Sequence, residues 1–257
     1  MNTVISLLLL YLFNSIHKDT SYDIAKALLE RIDELPGLSV SDFASDLGTS
    51  ITTVNRFCRE LGFQSFKNMK MRLEATRKGR IGQIQERLER MSEDQLLEDM
   101  EKILQIEIDR EEFTGKCRQI AELFHRSRRS FLSGAVYPMA LSLDFVEDMF
   151  LMGCPIGIIH NSYRAVDASV SFEDFILILS NTGRFITMNT TYFLTLYTKP
   201  WKMAVVSQNQ QFSKYDKLSV FLHLPQHTER KEDNLILCLV LDLIEYYYYQ
   251  NYGKALF

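Results

Sequence analysis

Apolar residues recur at helical spacing through the first half of the chain and gather into short continuous runs through much of the second. Asn2 to Ser15 and Ser21 to Leu35 read as two helices. The first is apolar almost all round through Leu7, Leu8, Leu9, Leu10, Leu12 and Phe13. The second carries Ile24, Ala27, Leu28, Leu29 and Ile32 on one face before Pro36-Gly37 ends it. Ser39 and Asp42 then form a capping pair for a short helix with Val40, Phe43, Ala44 and Leu47 on one face, stopped by Gly48. Ser50 is placed to cap the next helix, whose apolar face is Ile51, Val54, Phe57, Cys58 and Leu61. Thr52, Arg56 and Arg59 point outward from it, with Thr53 and Asn55 on the flanks. Two short helices about a glycine turn spell a helix-turn-helix. Ser65 caps a further helix carrying Phe66, Met69, Met71 and Leu73, and a polar, charge-dense segment from Arg77 to about Met91 follows as a helical linker.

Leu96 to Phe124 holds two more amphipathic helices, one with Met100, Ile103, Leu104 and Ile106, the other with Cys117, Ile120, Ala121, Leu123 and Phe124. The texture then changes. Ser130 to Ser133, Ile156 to Ile159, Phe175 to Leu179, Met203 to Val206 and Ser219 to Leu222 read as strands, interspersed with helices at Met139 to Met152 and Tyr192 to Thr198 and closed by Leu235 to Tyr249. Short apolar strands alternating with helices predict a parallel sheet covered on both faces. The expected architecture is an all-α N-terminal bundle joined to a three-layer α/β domain: residues 1–78, a linker at 79–98, and residues 99–257.

Charge sharpens the reading of the first domain. The chain of 257 residues has a net charge of −4, yet Thr49 to Arg80 carries eight bases against Glu60 and Glu74, a net of plus six. A basic stretch in an acidic protein is an electrostatic footprint for phosphate. Arg can pair with guanine, Asn with adenine and Thr with a thymine methyl, while hydroxyls or a helix N-terminus can hold phosphate, so Ser50, Thr52, Thr53, Asn55, Arg56 and Arg59 are expected at DNA together with Lys67 and Lys70. The plain alternative is a solvated helix face. The four cysteines form no metal or disulfide spacing, so reduced thiols in a cytoplasmic protein are expected. Val4 to Phe13 falls short of the roughly 20 residues that span a bilayer, and no membrane partner is expected. Its apolar excess predicts instead a homodimer or higher oligomer. The run Tyr246 to Tyr249 is expected at a subunit interface, the alternative being an aromatic platform for nucleic acid.

The run Ser50-x-x-Thr53-Val54-x-Arg56-Phe57-Cys58-Arg59-x-Leu61-Gly62-Phe63, followed by Phe66-Lys67 and Lys70-x-x-Leu73, resembles the helix-turn-helix of the RpiR family of bacterial sugar-responsive transcriptional regulators. The resemblance implies binding of a double-stranded DNA operator. It also implies a C-terminal sugar isomerase (SIS) domain that senses phosphorylated sugars, and the order of elements from about Asp99 to Phe257 resembles one.

Ser180, Asn181, Thr182 and Gly183 stand where that family has its Ser-x-Ser-Gly loop, which implies effector binding there. Read without the family, the four residues are a strand-to-helix turn. The family's first loop, Gly-x-Gly-x-Ser, is here Leu132-Ser133-Gly134-Ala135-Val136, lacking one glycine and the serine, and Phe185 replaces a frequent hydroxyl. Ser133, Gly134 and Tyr137 are therefore expected in an altered pocket, with weaker binding of a sugar phosphate or a different ligand. The competing function is a phosphosugar isomerase or lyase, which needs a general base. His125, His160, His223 and His227 occur singly, so no catalytic residue, metal site or cofactor is expected. The expected protein is a regulator, not an enzyme.

Overall fold

The computed structural model describes residues 3–15, 18–105, 107–159, 169–225 and 232–254. It divides into two compact units, Met1–Glu86 and Arg87–Phe257.

The first unit is helical. Helix α1 (Val4–Asn14) is capped by the Thr3 hydroxyl, and α2 (Thr20–Glu30) by Asp19. A 3-10 turn at Leu35–Gly37 leads into α3 (Val40–Asp46), α4 (Ile51–Glu60) and the long α5 (Phe66–Arg90). Ser39 accepts the amide of Asp42 and donates to its carboxylate at 2.7 Å, so the capping pair forms. Gly48 turns the chain at φ 60°, a conformation costly for residues with a Cβ, which lets the Thr49 amide reach the Ala44 carbonyl at 2.9 Å. Ile24, Leu28, Phe43, Val54, Phe57, Phe66 and Met69 are buried, with Phe43 stacked on Phe66 at 5.2 Å.

Several sequence expectations shift here. Asn2, Ile106, His160 and His227 lie outside the described residues. The second helix ends at Glu30, five residues early, and α5 runs unbroken through the expected start of the linker. The excess apolar surface of α1 is smaller than its sequence suggests: Val4, Ile5, Leu8, Leu9 and Phe13 are buried, Leu7 and Leu12 are half-buried, and only Leu10 of its leucines is exposed.

The second unit begins with α6 (Glu93–Leu104) and α7 (Arg110–Arg126). Strand β1 (Ser130–Gly134) follows, then α8 (Val136–Leu141) and α9 (Leu143–Leu151). The expected single helix over 139–152 is thus two, broken at Ser142, whose hydroxyl donates to the Met139 carbonyl at 2.7 Å. Next come β2 (Ile156–Ile158), β3 (Phe175–Leu179), α10 (Arg184–Met188), α11 (Thr190–Tyr197), β4 (Lys202–Ser207), β5 (Val220–His223) and α12 (Glu232–Tyr248). The five strands are all parallel in the order β2-β1-β3-β4-β5, with Leu132, Leu177, Ala204 and Val220 in register across four of them.

Alternation along the central strand makes the layers. Ile176 and Ile178 join Met203 and Val205 against Ile186, Phe193, Leu196, Trp201 and Phe212. On the opposite face the Phe124 ring of α7 meets Phe175 edge-on at 4.9 Å and Phe145 of α9 at 5.7 Å, and α12 packs on α7 and α9. Every residue of β3 is buried, as expected for a central parallel strand. The tyrosine run belongs to this core. Tyr247, Tyr248 and Tyr249 are buried, with Arg118 4.6 Å above the Tyr247 ring. A π-helical turn at Tyr249–Gly253 continues from α12. Their burial corrects the expected interface, since three of the four rings are already covered within the chain.

Candidate functional site

Helix α4 presents the first candidate surface. Ser50 caps it, accepting the Thr53 amide at 3.0 Å while its hydroxyl bonds that of Thr53 at 2.8 Å. The buried positions Val54, Phe57 and Cys58 fix the inner face; burial pushes the Cys58 thiol up to about 12, so it stays protonated. Thr52, Arg56 and Arg59 are exposed, with Arg56 3.7 Å from Glu60. Ile51, assigned by its spacing to the apolar face, is instead 45% exposed.

Two proposed DNA contacts have work inside the unit. The Asn55 side-chain oxygen accepts the Phe66 amide at 3.0 Å and its nitrogen donates to the Ile51 carbonyl at 3.2 Å. Lys70 donates to the carbonyls of Leu38 at 2.7 Å and Pro36 at 3.3 Å. Lys67 is exposed, while Arg77 pairs with Asp33 at 2.6 Å. The outward set is therefore Ser50, Ile51, Thr52, Arg56, Arg59 and Lys67, with Thr53 half-buried beside its cap.

The second candidate is the loop after β3. Ser180 is buried and its hydroxyl has no hydrogen-bond partner among the described residues. Thr182 is exposed, and its oxygen accepts from the Arg184 side chain at 3.2 Å. Asn181 is turned inward, donating to the Asp233 carbonyl and to Asn234. Gly183 sits at φ 77°, with Asn209 where a Cβ would be.

Across the sheet at the end of β1, Ser133 is buried, bonded to the Ile159 carbonyl at 2.8 Å and to the Tyr192 hydroxyl at 2.9 Å. Burial pushes that phenol up to about 12, with Ser133 opposing. A Cβ at Gly134 would collide with the Leu179 carbonyl oxygen, so this glycine serves the close approach of β1 and β3. Tyr137 is 76% exposed, and Phe185 packs half-buried onto the core beside Tyr192. The altered-pocket expectation thus meets a loop in which Ser133 and Asn181 are occupied internally and Ser180, Thr182 and Arg184 remain at hand. Arg184 and Tyr192 were missed by motif matching, because neither position belongs to the matched motif.

Two of the single histidines lie among the described residues. His125 stacks on Tyr252 at 3.8 Å, and His223 bonds the Gln208 carbonyl at 3.1 Å. A cleft of about 700 Å³ lies at the edge strand β5 instead, lined in part by Phe113, Lys116, Phe221 and His223. No metal-holding group of three or more ligands occurs among the described residues, and no helix there is long and apolar enough to cross a membrane.

Residues 14–78 match the helix-turn-helix domain of the rpiR family. The N-terminal unit therefore carries an rpiR-family DNA-binding domain. No curated protein sequence matches the chain. The fold is similar to that of the Vibrio vulnificus NanR protein complexed with ManNAc-6P, at 17% identity over 96% of this chain and 93% of that one, with a TM-score of 0.48. It is also similar to a protein of Bacteroides fragilis NCTC 9343 provisionally described as a phosphosugar isomerase involved in capsule formation, at 18% identity over 66% and 90% of the two chains and a TM-score of 0.45. At these scores the likenesses bear no weight for ligand or activity. The matched residues include α3 and α4, two short helices joined through the turn at Gly48.

Proposed function

We propose that this protein is a cytoplasmic transcriptional regulator that binds a DNA operator through α4 as a homodimer or higher oligomer and answers to a sugar phosphate or related metabolite held by its α/β unit. The observation that carries the DNA-binding half is the rpiR-family domain at residues 14–78 together with the exposed Thr52, Arg56 and Arg59 on its second helix. An Arg fork, a hydroxyl and a helix end with amides facing outward are the groups that grip base edges and phosphates in a major groove. A dimer follows from the geometry of such readers, which take two half-sites about one helical turn apart.

The effector half rests on the loop after β3. A buried hydroxyl without a partner costs free energy unless something fills the gap, and Ser180 has that unfilled capacity beside the exposed Thr182 and the cation of Arg184. These groups suit an anionic ligand with several acceptor oxygens. In this reading residues 1–78 bind DNA and residues 99–257 sense the effector, with residues 79–98 linking them.

The test is a gel shift of the full-length chain on duplexes enriched from genomic fragments, repeated with hexose, pentose and amino-sugar phosphates. A specific shift that one of these phosphates changes supports both halves. Enrichment with no response to any phosphate would leave the regulator standing and discard the effector assignment. Turnover of a phosphosugar by the purified chain would move the protein to the isomerase class.

A further inference from the structure

The N-terminal turn of α4 carries an unexplained apolar side chain. Ile51 is the first residue of the helix, directly after the Ser50 cap, and it is 45% exposed while Val54, Phe57 and Cys58 of the same helix are buried. Its spacing suits the core, but the core does not take it. Scattered exposed apolar residues are ordinary, so exposure by itself says little. Its neighbours matter: Thr52 and Arg56, the exposed residues one position and a little over one turn along, form the surface that the family assignment turns toward DNA.

Asn55, expected beside them as a base reader, is engaged within the unit. Asn55 would pair with adenine through both atoms of its amide, yet its oxygen holds the Phe66 amide at 3.0 Å and its nitrogen the Ile51 carbonyl. One N–H and one lone pair of the amide remain, but the two internal bonds hold its orientation between α4 and the start of α5, which assigns Asn55 first to the fold. The surface keeps the guanidiniums of Arg56 and Arg59, the hydroxyls of Ser50 and Thr52, and one branched aliphatic group, Ile51.

We infer that Ile51 is a specificity-determining residue that reads the 5-methyl group of a thymine, while Asn55 reads no base. The thymine methyl is the apolar feature of the major groove, and an aliphatic side chain at the start of a recognition helix is placed to cover it. Covering one methyl removes a small apolar area from water on both sides, which gives a discrimination of about 3- to 10-fold. This inference rests on the reading of α4 as the DNA-reading helix and adds to it the identity of one base.

The experiment uses the full-length chain and duplexes enriched from a random-sequence pool. Each thymidine of an enriched duplex is replaced singly by deoxyuridine, which removes only the methyl. One replacement per half-site should weaken binding by about 3- to 10-fold. That penalty should vanish in Ile51→Ala and persist in Ile51→Val, which keeps a branched methyl pair. Circular dichroism confirms folding of both variants. If no deoxyuridine replacement matters while Arg56→Ala still weakens binding, Ile51 reads no methyl although α4 reads DNA. If Arg56→Ala, Thr52→Ala and Ile51→Ala all leave affinity unchanged, the reading of α4 itself fails and takes this inference with it.

Discussion

The side-chain oxygen of Asn55 accepts the amide N–H of Phe66 at 3.0 Å, joining the middle of α4 to the first turn of α5. That amide belongs to a helix start, where no backbone acceptor of the helix itself is available. Asn55→Ala should therefore act on stability, costing about 1 to 2 kcal/mol in urea unfolding, because Phe66 is buried behind the bond. Base preference measured on enriched duplexes should stay unchanged. A changed preference at an adenine position, with normal stability, would return Asn55 to the reading surface.

Lys70 and Lys67 should separate in the same way. Lys70 binds the Leu38 and Pro36 carbonyls and lies 5.5 Å over the Phe66 ring, so it ties the chain ahead of α3 to α5. Lys70→Ala should lower the thermal midpoint, by about 1 to 2 kcal/mol of stability. Lys67→Ala should leave the midpoint alone and reduce the slope of log affinity against log salt by about one phosphate contact. Equal salt slopes in the two variants would contradict this division.

Arg56 is exposed and pairs at 3.7 Å with Glu60, a surface pair of small worth. Arg56→Ala should weaken binding to an enriched duplex by about 1 to 3 kcal/mol while non-specific binding falls far less. Competition gel shifts with and without excess random DNA would measure the difference. Equal losses on both would make Arg56 a phosphate contact.

At the effector loop, Thr182→Ala removes an exposed hydroxyl and Ser180→Ala removes a buried one without a hydrogen-bond partner among the described residues. Ser180→Ala should leave the unliganded protein at least as stable, because no internal bond is lost. Calorimetric titration with sugar phosphates should show weakened binding in both variants and in Arg184→Ala. Binding unaltered in all three would place the ligand elsewhere.

Glu245 and Asp242 should each contribute less stability to the second unit as pH rises from acidic toward neutral. Arg87 bonds Asp148 and, at 2.6 Å, Glu245, with Asp144 at 3.1 Å. Burial first, then the neighbouring Asp148, pushes the Glu245 carboxyl well above its usual range; burial and Asp144 also raise Asp242. A carboxyl whose pKa is raised by folding favours the fold in its protonated form. Its contribution is thus full below the ordinary carboxylate value and is lost as pH climbs through the raised one. Glu245→Gln keeps an acceptor for Arg87 and removes the charge, so it should flatten thermal midpoint against pH above about pH 5. An unchanged slope would show that Glu245 is ionised across that window.

By itself the sequence determined the elements whose cause is local. Ser39, Gly48 and Ser50 set the two short helices because caps and a left-handed turn act within a few residues, and the unbroken apolar run Phe175 to Leu179 marked the central strand. The rpiR motif was legible for the same reason, its residues being contiguous. The tertiary structure decided which side chains are free. Asn55 and Lys70 are polar residues at positions that look solvent-facing, yet each is bound by a backbone group brought from another element: the Phe66 amide eleven residues on, and the Leu38 carbonyl thirty-two residues back. Ile51 fits the apolar period of α4 but lies at its first turn, beyond the part of the face that the core covers. Ser133 and Ser180 are both serines at strand ends, and only packing distinguishes them: Tyr192 and the Ile159 carbonyl reach the first, and no hydrogen-bonding group among the described residues reaches the hydroxyl of the second. Hydrogen-bond partners distant in sequence leave no periodic trace, so the choice between structural and functional polar residues belongs to the fold.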